Sequence, residues 1–158
     1  MGLDNIPIPI PCKELKLPIV FDEDENIACE RVEGCPFSES DHPYGAAFYK
    51  CGYRGAWLDE HLRGTGADDL ARKCYQSTMN PEEAFEFAIE LGEHADSLVN
   101  KEGFDGVNCF PKGIDWDTGE PNNYEFHSSP EDTINLIRKA ASWYWKIADL
   151  GSEVIAYY

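Results

Sequence analysis

Apolar residues recur at helical spacing in two long stretches of the chain, and the first stretch begins with a strong helix-start signal. Residues 80–83 read Asn-Pro-Glu-Glu, which supplies an N-cap, a proline at the first helical position and an acid three residues after the cap. The pattern predicts a helix from residue 81 to about residue 100, which Gly103 would stop. Its core-facing stripe contains Ala84, Phe87, Ala88, Leu91, Ala95 and Leu98.

The second stretch has the same start signal and a wider apolar face. Ser129 and Pro130 open it, and Gly151 either ends the helix or weakens it. A face of this width predicts contact on two sides, with sheet and helix together or with a partner chain, and thus allows a homo-oligomer through this helix. The two rows are Ile134, Ile137, Ala141, Tyr144 and Ala148, and Leu136, Ala140, Trp143, Ile147 and Leu150.

Shorter patterns fill the middle of the chain. Residues 67–79 predict one helix with Leu70 and Cys74 on its apolar face, and residues 59–63 predict a single helical turn. Residues 104–127 are rich in Gly, Pro, Asn and aromatic side chains, which predicts a β-hairpin or a pair of short strands.

The N-terminal third has β-type patterns. Alternating Ile and Pro in residues 6–11 exclude a helix and predict an extended edge or a polyproline-like arm on the surface. Residues 15–32 predict a hairpin, and residues 45–53 predict one strand of small and aromatic residues. The whole pattern predicts one α+β domain over residues 1–158, with an N-terminal β-rich part, two middle helices, a β-hairpin and a long C-terminal helix.

Charge narrows the classes of partner. The 158 residues include 30 acidic and 13 basic side chains, which gives a net charge of −17. Binding to nucleic acid depends mostly on Lys and Arg, so direct contact with a phosphate backbone is not expected. The charge fits a cationic partner, a salt-rich cytoplasm or mimicry of nucleic acid. The N-terminus lacks a basic start followed by a continuous apolar run, which predicts a cytoplasmic protein without a membrane segment.

The six cysteines divide into two groups. Cys74 and Cys109 fall where burial in a helix face or a strand explains them. The other four lie in the N-terminal third, mostly beside Pro or Gly, and predict a structural zinc site, with His42 as a substitute ligand; independent buried thiols are the alternative. They are Cys12, Cys29, Cys35 and Cys51.

One stretch between residues 44 and 66 combines aromatic and basic side chains in an otherwise acidic chain. Such a set could stack a planar ligand and hold a carboxylate or phosphate with an arginine fork. The alternative is that the aromatic residues belong to the core and the arginines pair with the chain's own surplus carboxylates. The candidate ligand-binding residues are Tyr53, Arg54, Trp57, His61 and Arg63.

These observations favour a binding protein over an enzyme, since no complete catalytic or cofactor motif is present. We expect a non-enzymatic, acidic cytosolic protein that acts on a macromolecular partner with a basic surface. Virus-encoded inhibitors that mimic nucleic acid form one class of such proteins, by analogy only. The alternative is a protein that binds or sequesters an anionic or nucleotide-like small molecule, or a small enzyme, using Arg54, Trp57, His61 and Arg63.

Overall fold

A computed structural model of the chain describes residues 3–8, 46–47, 52–109 and 126–157. Within these residues helices and antiparallel sheets are mixed, so the predicted α+β class is confirmed. The helices are α1 (Gly55–Gly64), α2 (Asp68–Lys73), α3 (Pro81–Val99) and α4 (Pro130–Asp149). The strands are β1 (Asp4–Ile8), β2 (Ala46–Ala47), β3 (Gly52–Arg54), β4 (Thr78–Met79), β5 (Val107–Cys109), β6 (Phe126–Ser128) and β7 (Glu153–Tyr157).

The larger sheet has the strand order β2-β3-β1-β7-β4, with every neighbouring pair antiparallel. Residues 6–8 are extended as predicted, but the expected position at an edge or on the surface is wrong for them, because β1 lies inside the sheet between β3 and β7. Residues 9–11 lie outside the described part. Proline is tolerated there because β1 pairs with β3 only at Asp4 and Asn5, while Pro7 lies opposite Val154 of β7. The sheet thus joins the first described residues of the chain to the last.

Three predicted boundaries in the middle of the chain are corrected. Where one strand was predicted over residues 45–53, the described residues Ala46–Ala47 and Gly52–Arg54 form two strands that pair with each other, with Ala46 opposite Tyr53. The single turn predicted at 59–63 is the helix α1, and the helix predicted over 67–79 ends at Lys73. Thr78 and Met79 instead pair with β7, so their backbone groups belong to a sheet ladder that local periodicity does not show.

The two long helices match their sequence signals. Asn80 accepts from the Glu83 backbone N–H at 2.9 Å, and the Glu83 carboxylate accepts from the Asn80 backbone N–H at 2.8 Å, which forms a full capping box. All six predicted stripe residues of α3 are buried. Ser129 caps α4, and Gly151, at φ 72°, follows the helix end and turns the chain into β7.

An aromatic cluster forms the centre of the core. The rings of Tyr53, Phe87 and Trp143 each lie edge-on to a neighbour in this cluster, and Tyr144 contacts all three. Ring centroids are 4.7–5.9 Å apart, within the range that aromatic pairs prefer. α4 therefore contacts the sheet and α3 with adjacent residues, as its wide apolar face predicted.

β5 and β6 form a separate antiparallel pair, with Val107 opposite Ser128 and Cys109 opposite Phe126. This pair lies in the region predicted as a hairpin; the residues between the two strands, 110–125, lie outside the described part. β5 also packs against α1, where a Cβ on Gly64 would come within 2.3 Å of a Val107 side-chain carbon. Gly64 thus allows the small sheet to approach the rest of the domain closely.

Candidate functional site

Tyr53, the first residue of the predicted ligand patch, is part of the core. Its side chain is fully buried, and its hydroxyl lies 2.7 Å from the hydroxyl of Tyr144. The ring of Trp143 packs edge-on against it at 4.8 Å. The ring of Tyr53 is therefore already in contact with other core rings, and a ligand at the surface would not reach it.

His61 is also buried, and its contacts define its tautomer. Nδ1 lies 2.7 Å from the carbonyl oxygen of Trp57, which can only accept, so Nδ1 carries the proton and Nε2 is an acceptor. The Sγ of Cys109 lies 3.6 Å from Nε2, a position from which the thiol can donate. Sequence patterns predicted burial of Cys109 but not this pairing, because the two residues are 48 positions apart.

The environment keeps this Cys109–His61 pair neutral. Burial raises the pKa of the Cys109 thiol to about 11, and the negative charge of Glu60 adds to the shift. Burial lowers the pKa of His61, against the effect of its bond to the Trp57 carbonyl. A thiol next to a neutral imidazole is a hydrogen-bonded core pair and lacks the thiolate that nucleophilic catalysis requires.

The buried state of His61 makes the stability of the protein depend on pH. Because its pKa is lowered in the folded state, the unfolded chain takes up a proton below its ordinary pKa of about 6.5 while the folded protein does not. The stabilisation is complete above about pH 6.5 and is lost as pH falls through the lowered folded-state pKa. We expect the free energy of unfolding, measured by urea denaturation at constant ionic strength, to decrease from pH 7 to pH 5.

Two variants distinguish the contribution of His61 to this decrease in the free energy of unfolding from the contributions of other groups. His61→Gln should flatten the decrease, whereas His127→Gln, which changes an exposed histidine, should retain it. Burial also lowers the pKa of His94, so a smaller decrease should remain in His61→Gln. An equally steep decrease in His61→Gln and wild type would contradict this role for His61.

Arg63 is paired within the chain. Its Nε lies 2.8 Å from Asp59 Oδ1, and a second nitrogen lies 3.5 Å from Asp68. Asp59 also accepts a hydrogen bond from the hydroxyl of Tyr75 at 3.3 Å. Arg63 thus has the intramolecular carboxylate partners that the alternative interpretation described.

Trp57 and Arg54 are the last two residues of the patch. Trp57 is half-buried and packs against the core cluster. Arg54 is the last residue of β3, opposite Asp4, and its side chain lies outside the described part. The side chains of the patch that are described face the core or carboxylates of the same chain.

The predicted zinc ligands Cys12, Cys29, Cys35 and Cys51 all lie outside the described residues. Among the residues that are described, no group of three or more His, Cys, Asp or Glu side chains is placed to hold a metal ion. Zinc therefore remains a prediction from cysteine placement alone.

A different surface has the features of a binding site. A groove of about 350 Å³, called the α3–α4 groove below, runs between the two long helices. At its side the rings of Phe85 and Trp145 lie 4.5 Å apart, and both are substantially exposed, Phe85 at 38% and Trp145 at 51%. Ile89 is 42% exposed. The lining residues are Ala88, Ile89, Arg138, Ala141, Ser142 and Trp145.

The helix α3, which forms one side of this groove, is rich in acidic side chains. The helix contains no Lys or Arg, and three of its carboxylates are engaged: Glu83 caps the helix, Glu90 pairs with Lys73, and Asp96 pairs with Arg138 at 2.8 Å. The other three are exposed and form no ion pair within the described part of the chain. We call them the acidic flank: Glu82, Glu86 and Glu93.

The sequence-based prediction missed this surface, although large apolar residues outside the core faces of the two helices indicate it. Phe85 and Ile89 are four residues apart and lie off the core stripe of α3, and Trp145 lies off both apolar rows of α4. Large apolar residues outside a helix's core face are candidates for partner contact.

Comparison with family models, curated proteins and solved structures finds no match to this chain. Among the residues that the structure describes, none of the helices has the length and apolar character needed to span a membrane.

Proposed function

We propose that this protein is a non-enzymatic, acidic binding protein of the cytosol that acts on a macromolecular partner with a basic surface. One observation carries the proposal: the exposed apolar side chains Phe85 and Ile89 lie on the same helix, α3, as the acidic flank, and Trp145 of α4 packs against Phe85. Apolar anchors beside unpaired charge of one sign are typical of interfaces with a partner of opposite charge.

The carboxylates of the acidic flank also suit a surface that normally binds phosphates. Glu82 and Glu86 are one helical turn apart, a rise of about 6 Å along α3. A row of negative charge along one side of a rigid helix suits nucleic-acid mimicry, by analogy with virus-encoded inhibitors. The chain's net charge of −17 would add long-range attraction to the same partner.

The small-molecule and enzyme alternative has less support. It needs Arg54, Trp57, His61 and Arg63 to act on one ligand, but His61 is buried beside Cys109 and Arg63 is bonded to Asp59. The neutral Cys109–His61 pair supplies neither a charged clamp nor a thiolate.

The experiment is capture of the partner followed by a salt titration. Immobilised protein is exposed to an extract of the cells that naturally express it, and the dissociation constant of the retained protein is measured between 50 and 200 mM NaCl. We expect a basic protein whose affinity falls about tenfold over this range, since exposed charge pairs are screened by salt. A partner that binds equally well at both salt concentrations would contradict the proposal.

A further inference from the structure

We infer that the α3–α4 groove is the docking site for an amphipathic helix of the partner, with apolar side chains on one face and Lys or Arg beside them. This inference rests on the proposed function, which it makes specific by naming the contact site and the form of the partner.

The groove has the shape for side-chain anchors. The Phe85–Trp145 ring pair and the Asp96–Arg138 ion pair both join its two helices, and the side chains of Trp145 and Arg138 belong to its lining. Between them the lining is small or apolar at Ala88, Ile89 and Ala141. The volume of about 350 Å³ is at the lower end for ligand pockets, which suits a few inserted side chains.

Gly92 allows the backbone of a partner helix to approach α3 closely. It lies in the interior of α3, three residues after Ile89, and a Cβ built at this position would meet no atom within 4 Å. Glycine weakens a helix interior relative to alanine, and no contact with the described residues requires it here. The open space above Gly92 is therefore available to a helix that crosses α3 at this point.

Charge complementarity selects the flanking residues of the partner. Glu82, Glu86 and Glu93 are spaced by four and seven residues, so they share one side of α3. A helix that places leucine or aromatic side chains in the groove would bring its neighbouring positions over this acidic flank. Lys or Arg at those positions would pair with it, as in other helix-in-groove complexes.

A second copy of this chain fits the site less well. Two copies would each bring a net charge of −17, which opposes their association. At the groove, the exposed large apolar side chains of the described residues are Phe85, Ile89 and Trp145, whereas a stable dimer commonly buries about 800 Å² per partner. Such a set is better matched to a single helix.

The test uses synthetic peptides of about 18 residues, long enough to form a helix on binding. The first has leucines at helical spacing and lysines elsewhere; the second replaces lysine with glutamate; the third has the composition of the first with the leucines scattered over all faces. Dissociation constants are measured by calorimetry on the full chain, and the oligomeric state by sedimentation.

Two matched substitutions locate the binding site. Ile89 and Val99 are both β-branched, exposed residues of α3, at 42% and 49%, but only Ile89 lines the groove. We expect the leucine–lysine peptide to bind at least tenfold more tightly than the other two peptides. We expect Ile89→Gln to weaken its binding about tenfold or more and Val99→Gln to change it less than about threefold.

Several results would overturn the inference. Equal losses in Ile89→Gln and Val99→Gln, or no binding of the leucine–lysine peptide, would remove the groove as the site. Equal binding of the scattered peptide would show that charge alone acts, in which case the proposed function stands and the docking site fails. A dimer of the wild type that Ile89→Gln dissociates would assign the groove to a second copy.

Discussion

Replacement of Trp143 by alanine is expected to lower the free energy of unfolding by about 4 kcal/mol, because the indole ring fills the centre of the core. Trp143 is fully buried and packs edge-on against Tyr53 at 4.8 Å and Tyr144 at 4.9 Å. Its removal would leave a cavity where α4 meets the sheet. Because a domain of this size is stable by only about 5–15 kcal/mol, much of its stability would be lost.

Trp145→Ala is the matched control for this prediction. Trp145 is two residues further along the same helix, but it is 51% exposed and contacts Phe85 at the surface. We expect it to cost about 1 kcal/mol, the value of one aromatic contact. Chemical denaturation of both variants measures the difference, and similar losses would contradict the assignment of Trp143 to the core.

Gly106→Ala is expected to destabilise the protein by at least about 2 kcal/mol, for two reasons that add. Gly106 has φ 90°, a conformation that residues with a Cβ rarely adopt. An added Cβ would also lie 2.0 Å from the backbone oxygen of Ser128, which cannot move without disturbing the β5–β6 pair. In Gly106→Ala we therefore expect the structural strain at the junction between the β5–β6 pair and α4.

The variant Gly103→Ala distinguishes the backbone strain of a positive φ from the steric overlap of an added Cβ. Gly103 also has a positive φ, 76°, but a Cβ there would meet no atom within 4 Å. Only the backbone strain remains, so we expect a loss of about 1 kcal/mol. If thermal denaturation showed the two variants to be equally stable, the close approach of Gly106 to Ser128 would be contradicted.

The long helices were predictable because their signals are local. The capping box at Asn80 and Glu83 and the Ser129–Pro130 start act within one turn, so no distant contact is needed to read them. The periodicity of α3 then identified its buried residues. Residues 78 and 79 show the opposite case, because their strand conformation depends on pairing with β7, more than 70 residues away in sequence.

The sequence of residues 4–8 does not show where β1 lies in the sheet, because this position also depends on pairing with distant residues. Alternating Ile and Pro predicted an extended edge or a surface arm, but the neighbours that make β1 an interior strand come from residues 52–54 and 153–157. The Cys109–His61 contact also joins distant parts of the chain. Sequence patterns identify which residues are apolar or titratable, while tertiary pairing decides which of them meet.

The surface proposed for partner binding was only partly predictable. The double apolar row of α4 correctly predicted contact on two sides, with the sheet and with α3. Phe85, Ile89 and Trp145 lie outside those rows, and their exposure follows from how α3 and α4 pack together, which sequence spacing alone does not give.

The role of the acidic flank can be tested by removal of its charge without change of shape. The dissociation constant of the captured partner is measured for wild type and for two triple variants. The first variant removes the charge of the acidic flank: Glu82→Gln/Glu86→Gln/Glu93→Gln. The control has the same change in net charge at exposed acids outside α3: Glu102→Gln/Asp105→Asn/Glu153→Gln. We expect the first variant to bind about tenfold more weakly and to lose most of the salt dependence, since three exposed charge pairs are each worth a few tenths of a kcal/mol or more. The control should stay within about threefold of wild type; equal weakening in both variants would contradict a partner site on the acidic face of α3.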